Sequence, residues 1–312
     1  MSNNALVFVK PHANNDAVNV LVKEKLAAGN FKILAEGSVT GEKMDTNKII
    51  DQHYATLARY AVDDTADKLP VSEETQKKFK ETFGAVWSEQ VAAGSILNAK
   101  KATEKLGGVT ATELSQKWKD NAAEGRLLKL APGLYACKFE SEGIYVINGF
   151  YLVNREKFTK AGTSVNWYTI EWEESAMTWV DFRAQFVGPT KPEVAPKGSM
   201  RGIIFQDWEK LGLAEQPNVS DNGVHASAGP LEGLAERGIW TGAKIAEDAY
   251  GQALAAGGCD MSLVQEWLGN PVVAVNGKTQ PAFDHLEDKQ SSEVIAIIKN
   301  FKAGGESKTT TT

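Results

Sequence analysis

The stretch Asn222-Gly223-Val224-His225-Ala226-Ser227 decides how this chain is read. The protein has four histidines, and only His225 stands among residues that suit phosphate. Upstream runs GPTKPEVAPKGSMRG, from Gly188 to Gly202, which holds Thr190 and Arg201; Arg183 lies just before it. Glu236 follows eleven residues after His225. A neutral imidazole is a good nucleophile near neutral pH. Arginine presents a planar fork of donors that matches phosphate oxygens. A lone histidine in a glycine-rich loop is more often a plain surface residue, so the weight lies in the set and not in any one member.

Further out, Ala5-Leu-Val-Phe-Val9 is a short apolar run compatible with a buried strand, and it ends in Lys10-Pro11. Val18, Leu21, Val22 and Leu26 recur at helical spacing, and Gly29-Asn30 closes that helix. Phe31 to Glu36 reads as a second strand, and Lys43 to Tyr60 as a helix that carries His53-Tyr54. Helical patterns follow at Glu73–Ala93 and at Ala111–Ala123, the latter capped by Thr110 or Thr112, with Trp87 and Trp118 as apolar anchors. Val165 to Trp172 reads as a third strand, leading near Glu174 into a helix that carries Arg183. Met200 to Phe205 reads as a fourth strand, and a helical turn around Trp208 and Leu211 follows it. Leu231 to Trp240 reads as the helix that carries Glu236. Helices are expected at Ala243–Ala256 and near Ser292–Phe301, with a disordered tail from Ala303.

Taken in order, these pieces resemble the nucleoside diphosphate kinase family. Its members carry N-x-x-H-G-S-D, preceded by G-x-T-x-P and a Pro-Gly-x-x-Arg-Gly stretch. The counterparts here are Asn222–Ser227, Gly188–Pro192 and Lys197–Gly202, with the first strand ending in Lys10-Pro11 and the His53-Tyr54 pair. The resemblance covers roughly half of the chain, on both sides of a long interruption. It implies an α+β fold, a ferredoxin-like antiparallel sheet with helices on one face, elaborated by a helical insertion and a C-terminal extension. Residues 1–60 and 144–240 would be the two halves of that domain, 61–143 the mainly helical insertion and 241–312 the extension.

The same resemblance implies transfer of the γ-phosphate of a nucleoside triphosphate to a nucleoside diphosphate, by a ping-pong route through phosphohistidine at His225. Glu236 would orient the ring, directly or with Ser227. Lys10, Tyr54, Arg183, Thr190, Arg201 and Asn222 would bind the nucleotide. Tyr151 would stack on the base. Magnesium (Mg2+) would bridge phosphate oxygens. The chain also departs from the pattern. His12 stands where an Asp is usual, Ala226 and Ala228 replace Gly and Asp, and Arg183 lies one residue farther from Gly188. The extra residues before Asn222 fall where family members make subunit contacts, which leaves the family's usual hexamer open for this chain.

A net charge of −6 argues against a nucleic acid or an acidic membrane as the main partner. Two cysteines, Cys137 and Cys259, make neither a disulfide framework nor a zinc site, which fits a reducing compartment. The first residues lack the pattern of a signal peptide, and no apolar window is long enough for a membrane span. The expected location is the cytoplasm, with a cytoskeletal or flagellar association as an open alternative. Two function classes stand: the kinase, and a non-catalytic nucleotide-binding scaffold on the same fold. Homo-oligomers and a protein partner held by 61–143 or 241–312 are compatible with both.

Overall fold

The computed structural model describes residues 1–301; the expected disordered tail lies outside the described residues. The chain forms two compact units, Met1–Thr40 with Ser164 onward, and Gly41–Thr163.

The first unit begins with β1 (Ser2–Val9), which is buried along nearly its whole length. Helix α1 (Asp16–Ala28) follows. Asn15 caps it by accepting from the Val18 amide at 3.0 Å, and Asp16 complements the positive end of the helix dipole. Its apolar stripe buries Val18, Val22 and Leu26, each worth roughly 1.5–3 kcal/mol. Asn30, at φ 58, turns the chain left-handed and stops the helix. Then come β2 (Lys32–Thr40), β3 (Ser164–Glu173), α2 (Met200–Gln206), β4 (Val224–Ala226) and α3 (Pro230–Thr241).

The sheet order is β2-β3-β1-β4, and every neighbouring pair is antiparallel. With α1 between β1 and β2 and α2 between β3 and β4, this is the ferredoxin-like arrangement. Helices lie on both faces of the sheet, not on one. Ala5, Val7 and Val9 join a core with α1 and α2, while Phe8, on the alternate side, stacks on Trp240 of α3 at 4.6 Å. The second face is apolar because an added C-terminal layer covers it.

The fourth strand is not at Met200–Phe205; that run is α2. A short apolar run does not by itself distinguish a strand from a buried helical turn. Ser199 decides it, because its Oγ accepts from the Gly202 amide at 3.0 Å and so caps a helix. The vacant place in the sheet is taken by β4, so His225 lies on a strand and not in a loop. Arg183 lies on a π-helical turn, Phe182–Val187, that follows the short helix Trp179–Asp181. Trp172, Trp179 and Phe182 pack against one another beneath that turn and fix it.

Beyond α3 come α4 (Ala249–Ala256), α5 (Met261–Trp267), a hairpin of β5 (Val272–Val275) and β6 (Lys278–Pro281), α6 (Ala282–Leu286) and α7 (Ser291–Asn300). Leu231 and Leu234 of α3 share a second core with Tyr250, Leu254, Trp267 and Leu286. The extension is therefore a layer of this unit. Its first helix starts later than the expected Ala243, after a short 3-10 turn at Ile245–Glu247.

The second unit starts at Gly41 and ends at Thr163, wider at both ends than the expected 61–143. It is not simply helical. Four strands, Ile96–Asn98, Ile144–Ile147, Leu134–Phe139 and Leu127–Ala131, form a sheet in that spatial order, the first pair parallel and the others antiparallel. The expected helix Lys43–Tyr60 is broken into short pieces, with Lys48 left-handed at φ 54. The helix Ala111–Ala123 is as expected, capped by Thr110 in a reciprocal box with Glu113. Trp87 and Trp118 are both buried. No helix among the described residues is long and apolar enough to cross a membrane.

Candidate active site

His225 pairs with Phe8 across the β1–β4 ladder, and the two rings stack with centroids 4.6 Å apart. Its Nε2 lies 2.7 Å from Glu236 Oε1. Ser227 donates to the other carboxylate oxygen, Oε2, at 2.5 Å. The Leu6 amide in turn donates to Ser227 Oγ at 2.9 Å. Glu236 is 4% exposed and Ser227 is fully buried. A carboxylate held in this way cannot swing from the ring, so backbone, hydroxyl, carboxylate and imidazole form one chain of fixed geometry.

The eleven-residue spacing now has a structural cause. A short turn after β4 and nearly two turns of α3 bring Glu236 back under the strand. The helix comes close because residue 233 is glycine: a Cβ there would lie 2.9 Å from the Asn4 carbonyl oxygen and 3.3 Å from Ser227 Oγ.

His225 faces a cavity of about 450 Å³, whose wall includes Arg183, Thr190, Arg201, Glu232 and Asp288. That volume is in the range of small-molecule sites. Arg201 Nη1 donates to the Gly188 carbonyl at 2.7 Å, and its Nε and Nη2 donate to the Val224 carbonyl. It thereby ties the strand of His225 to the Gly188 turn. Gly188 itself has φ 94, and a Cβ there would lie 2.6 Å from Ser199 Oγ, so only glycine fits. Arg183 places Nη1 2.6 Å from Asp288 Oδ1 and Nη2 2.5 Å from Glu287 Oε1. Burial works to lower the guanidinium pKa, but the bond to Asp288 and the charges of both carboxylates outweigh it and raise it.

Asn222 donates through Nδ2 to the Thr190 carbonyl at 3.0 Å. It is 1% exposed, and its Oδ1 has no hydrogen-bond partner among the described residues. Lys10 Nζ donates to the Ser220 carbonyl, and its backbone N–H to that of Gly223. His12 accepts from the Gly223 amide at 3.1 Å and lies 3.7 Å from Asp221. These two residues anchor the loop that carries Asn222.

Tyr54 and Tyr151 belong to the second unit. Tyr54 is partly buried there, edge-on to Phe158 at 6.3 Å. Tyr151 is 2% exposed within that unit's core, and its hydroxyl donates to Asp51 at 2.8 Å. A ring packed in this way offers no face on which a base could stack, so the expected stacking role does not fit its placement.

The sequence reading missed Glu232, Glu287 and Asp288. Glu232 was within reach, since it lies one helical turn before Glu236 on the same face. The other two come from a distant segment. Burial, then the charges of Glu236 and Glu287, push the Glu232 carboxyl up to about 8, against the opposing pull of Arg183. Folding therefore favours its protonated form. Its contribution is most favourable below the ordinary carboxylate range and is lost as pH rises toward 8. In Glu232→Gln, the thermal midpoint is expected to gain on wild type at pH 9 and to match it near pH 4. Equal curves across that interval would show that Glu232 is an ordinary solvated carboxylate.

No family model and no curated protein matches this chain. Among solved structures, it is similar to a nucleoside diphosphate kinase from Encephalitozoon cuniculi, at 12% identity, 79% of this chain, 92% of that one and a TM-score of 0.37. One from Aquifex aeolicus gives 13%, 77%, 94% and 0.37. An NDP kinase from Pyrobaculum aerophilum gives 16%, 77%, 96% and 0.34. The fold assignment rests on the sheet order itself.

Proposed function

We propose that this protein is a phosphotransferase of the nucleoside diphosphate kinase type, with His225 as the phosphate carrier. The observation that carries the reading is the Ser227–Glu236–His225 chain, which ends at a cavity walled by two arginines. A carboxylate can only accept, so Nε2 carries the proton toward Glu236 and the ring's lone pair resides on Nδ1. Nδ1 attacks the γ-phosphorus of a nucleoside triphosphate. The N–P bond forms as the bond from γ-phosphorus to the β–γ bridging oxygen breaks, and that electron pair leaves with the diphosphate. Glu236 stabilises the positive charge that develops on the ring. A second diphosphate then attacks the phosphohistidine through its terminal oxygen, and the imidazole is restored.

Such transfer depends on positioning and on neutralising charge. Arg183 and Arg201 supply donors in the cavity wall, and Thr190 adds a hydroxyl. Asn222 is 1% exposed and lies outside the cavity wall, so it acts from behind, holding the Thr190 carbonyl through Nδ2. Asp288 offers hard oxygen donors of the kind that suit magnesium. When bound, magnesium would neutralise part of the polyphosphate charge.

The test is incubation of the purified protein with γ-labelled ATP and magnesium. The label should be acid-labile and alkali-stable, and should discharge onto a different nucleoside diphosphate. A protein that binds nucleotide but takes up no label would sink the transfer reading and leave a binding scaffold.

A further inference from the structure

We infer that Glu287 and Asp288 are an internal counter-ligand for Arg183, which a nucleotide's phosphoryl group must displace in order to bind. The inference rests on the reading of the cavity as a phosphate site. The two acidic residues engage the two terminal nitrogens of the guanidinium, the donors that a phosphate would use for a bidentate contact. Their loop is seated beside the catalytic strand. The Asp288 amide donates to the Ala228 carbonyl at 3.1 Å, three residues past His225. Gly229 lets the segment lie close, since a Cβ there would be 3.0 Å from the Leu286 carbonyl oxygen.

The contact is of a kind that can be exchanged. The side chains of Arg183, Glu287 and Asp288 keep 33%, 39% and 44% of their exposure. An ion pair that open to water contributes little net stability, so trading it for a phosphate costs little. The pair nevertheless sets a threshold. A ligand must bring to Arg183 enough negative charge to replace two carboxylates, and it then sits beside the acids it displaced. Terminal phosphoryl groups of di- and triphosphates meet that requirement, whereas the singly charged phosphate of a diester does not. The extension thus tunes selection at a site to which it contributes no nucleophile.

The experiment uses the full chain with Glu287→Gln and Asp288→Asn combined, and titrates tripolyphosphate by calorimetry. Asp288 has φ 62, a region that asparagine also adopts, so the loop backbone should hold. Affinity is expected to rise about tenfold, the combined effect of removing the competing pair and the repulsion of two carboxylates. In an Arg183→Ala background the same pair of substitutions should give a clearly smaller gain, the part that comes from relieved repulsion alone. The two single variants, each expected to gain part of the effect, serve if the double variant does not fold. Unchanged or weaker binding, no binding to either protein, or an equal gain without Arg183 would overturn the inference. Labelling of His225 is read in parallel. A gain in tripolyphosphate affinity without labelling would defeat the transfer reading alone. Labelling without that gain would defeat the counter-ligand alone.

Discussion

His225→Ala is expected to take up no acid-labile, alkali-stable phosphate and to lose phosphotransfer by at least ~10³-fold, because His225 is the only imidazole among the described residues of the cavity wall. Alanine would also leave Glu236 buried with one donor fewer, at a cost of about 1–3 kcal/mol in stability. Loss of activity alone could then reflect a disturbed site. His225→Gln separates the two effects: its amide can donate toward Glu236 but offers no nucleophilic lone pair. It should keep nucleotide affinity and most of the stability while remaining unlabelled. Label retained on either variant would assign the chemistry to another residue.

Asp248→Ala is expected to lower unfolding stability by about 3–5 kcal/mol, because it strands a buried charge. Arg237 is 3% exposed, its Nε and Nη2 lie 2.7 and 2.8 Å from the two oxygens of Asp248, and its Nη1 donates to the Asn4 carbonyl. Asp248 also caps α4 by accepting from the Tyr250 and Gly251 amides. One carboxylate therefore joins the extension to α3 and, through Arg237, to β1. Burial works to raise its pKa, but Arg237 and the two amides hold it below the ordinary carboxylate value. The sign follows: its contribution is complete above the ordinary value, about pH 4, and is lost as pH falls through the lower folded value. Urea unfolding should thus show wild type losing its advantage over Asp248→Ala in acid. A difference below about 1 kcal/mol at neutral pH would mean that the pair is not the anchor.

The sequence made α1 and α3 legible through their helical period and end signals, and β1 through an apolar run that stops at Lys10-Pro11. Glu236 and Ser227 go with His225 by the family resemblance and not by their spacing, whereas Thr110 follows from the same local logic. It failed at Met200–Phe205, where a run of a few apolar residues has no period and the outcome turned on one serine hydroxyl. It also failed at Tyr151, carried over from the family across a segment of altered length; that ring belongs to a core of its own. The sheet of the second unit was hidden by short strands set between strong helical patterns. Glu287 and Asp288 could not be foreseen. Their meeting with Arg183 is wholly tertiary, and nothing local in a carboxylate pair points to a partner about a hundred residues away.

Thr40 and Ser164 are direct partners in the β2–β3 ladder, and the chain leaves the sheet at one and returns at the other. Opposed residues of an antiparallel pair are about 5 Å apart, a gap that a two-residue hairpin spans. The whole of Gly41–Thr163 is thus spliced in at what is geometrically a single point. In lineage terms, such a splice can be gained or lost in one event without moving the register of a single strand. In laboratory terms, Asn-Gly in its place would turn two strands joined by a long excursion into an ordinary hairpin, and would make the cavity beside His225 available for study apart from the lobe that carries Tyr54 and Tyr151.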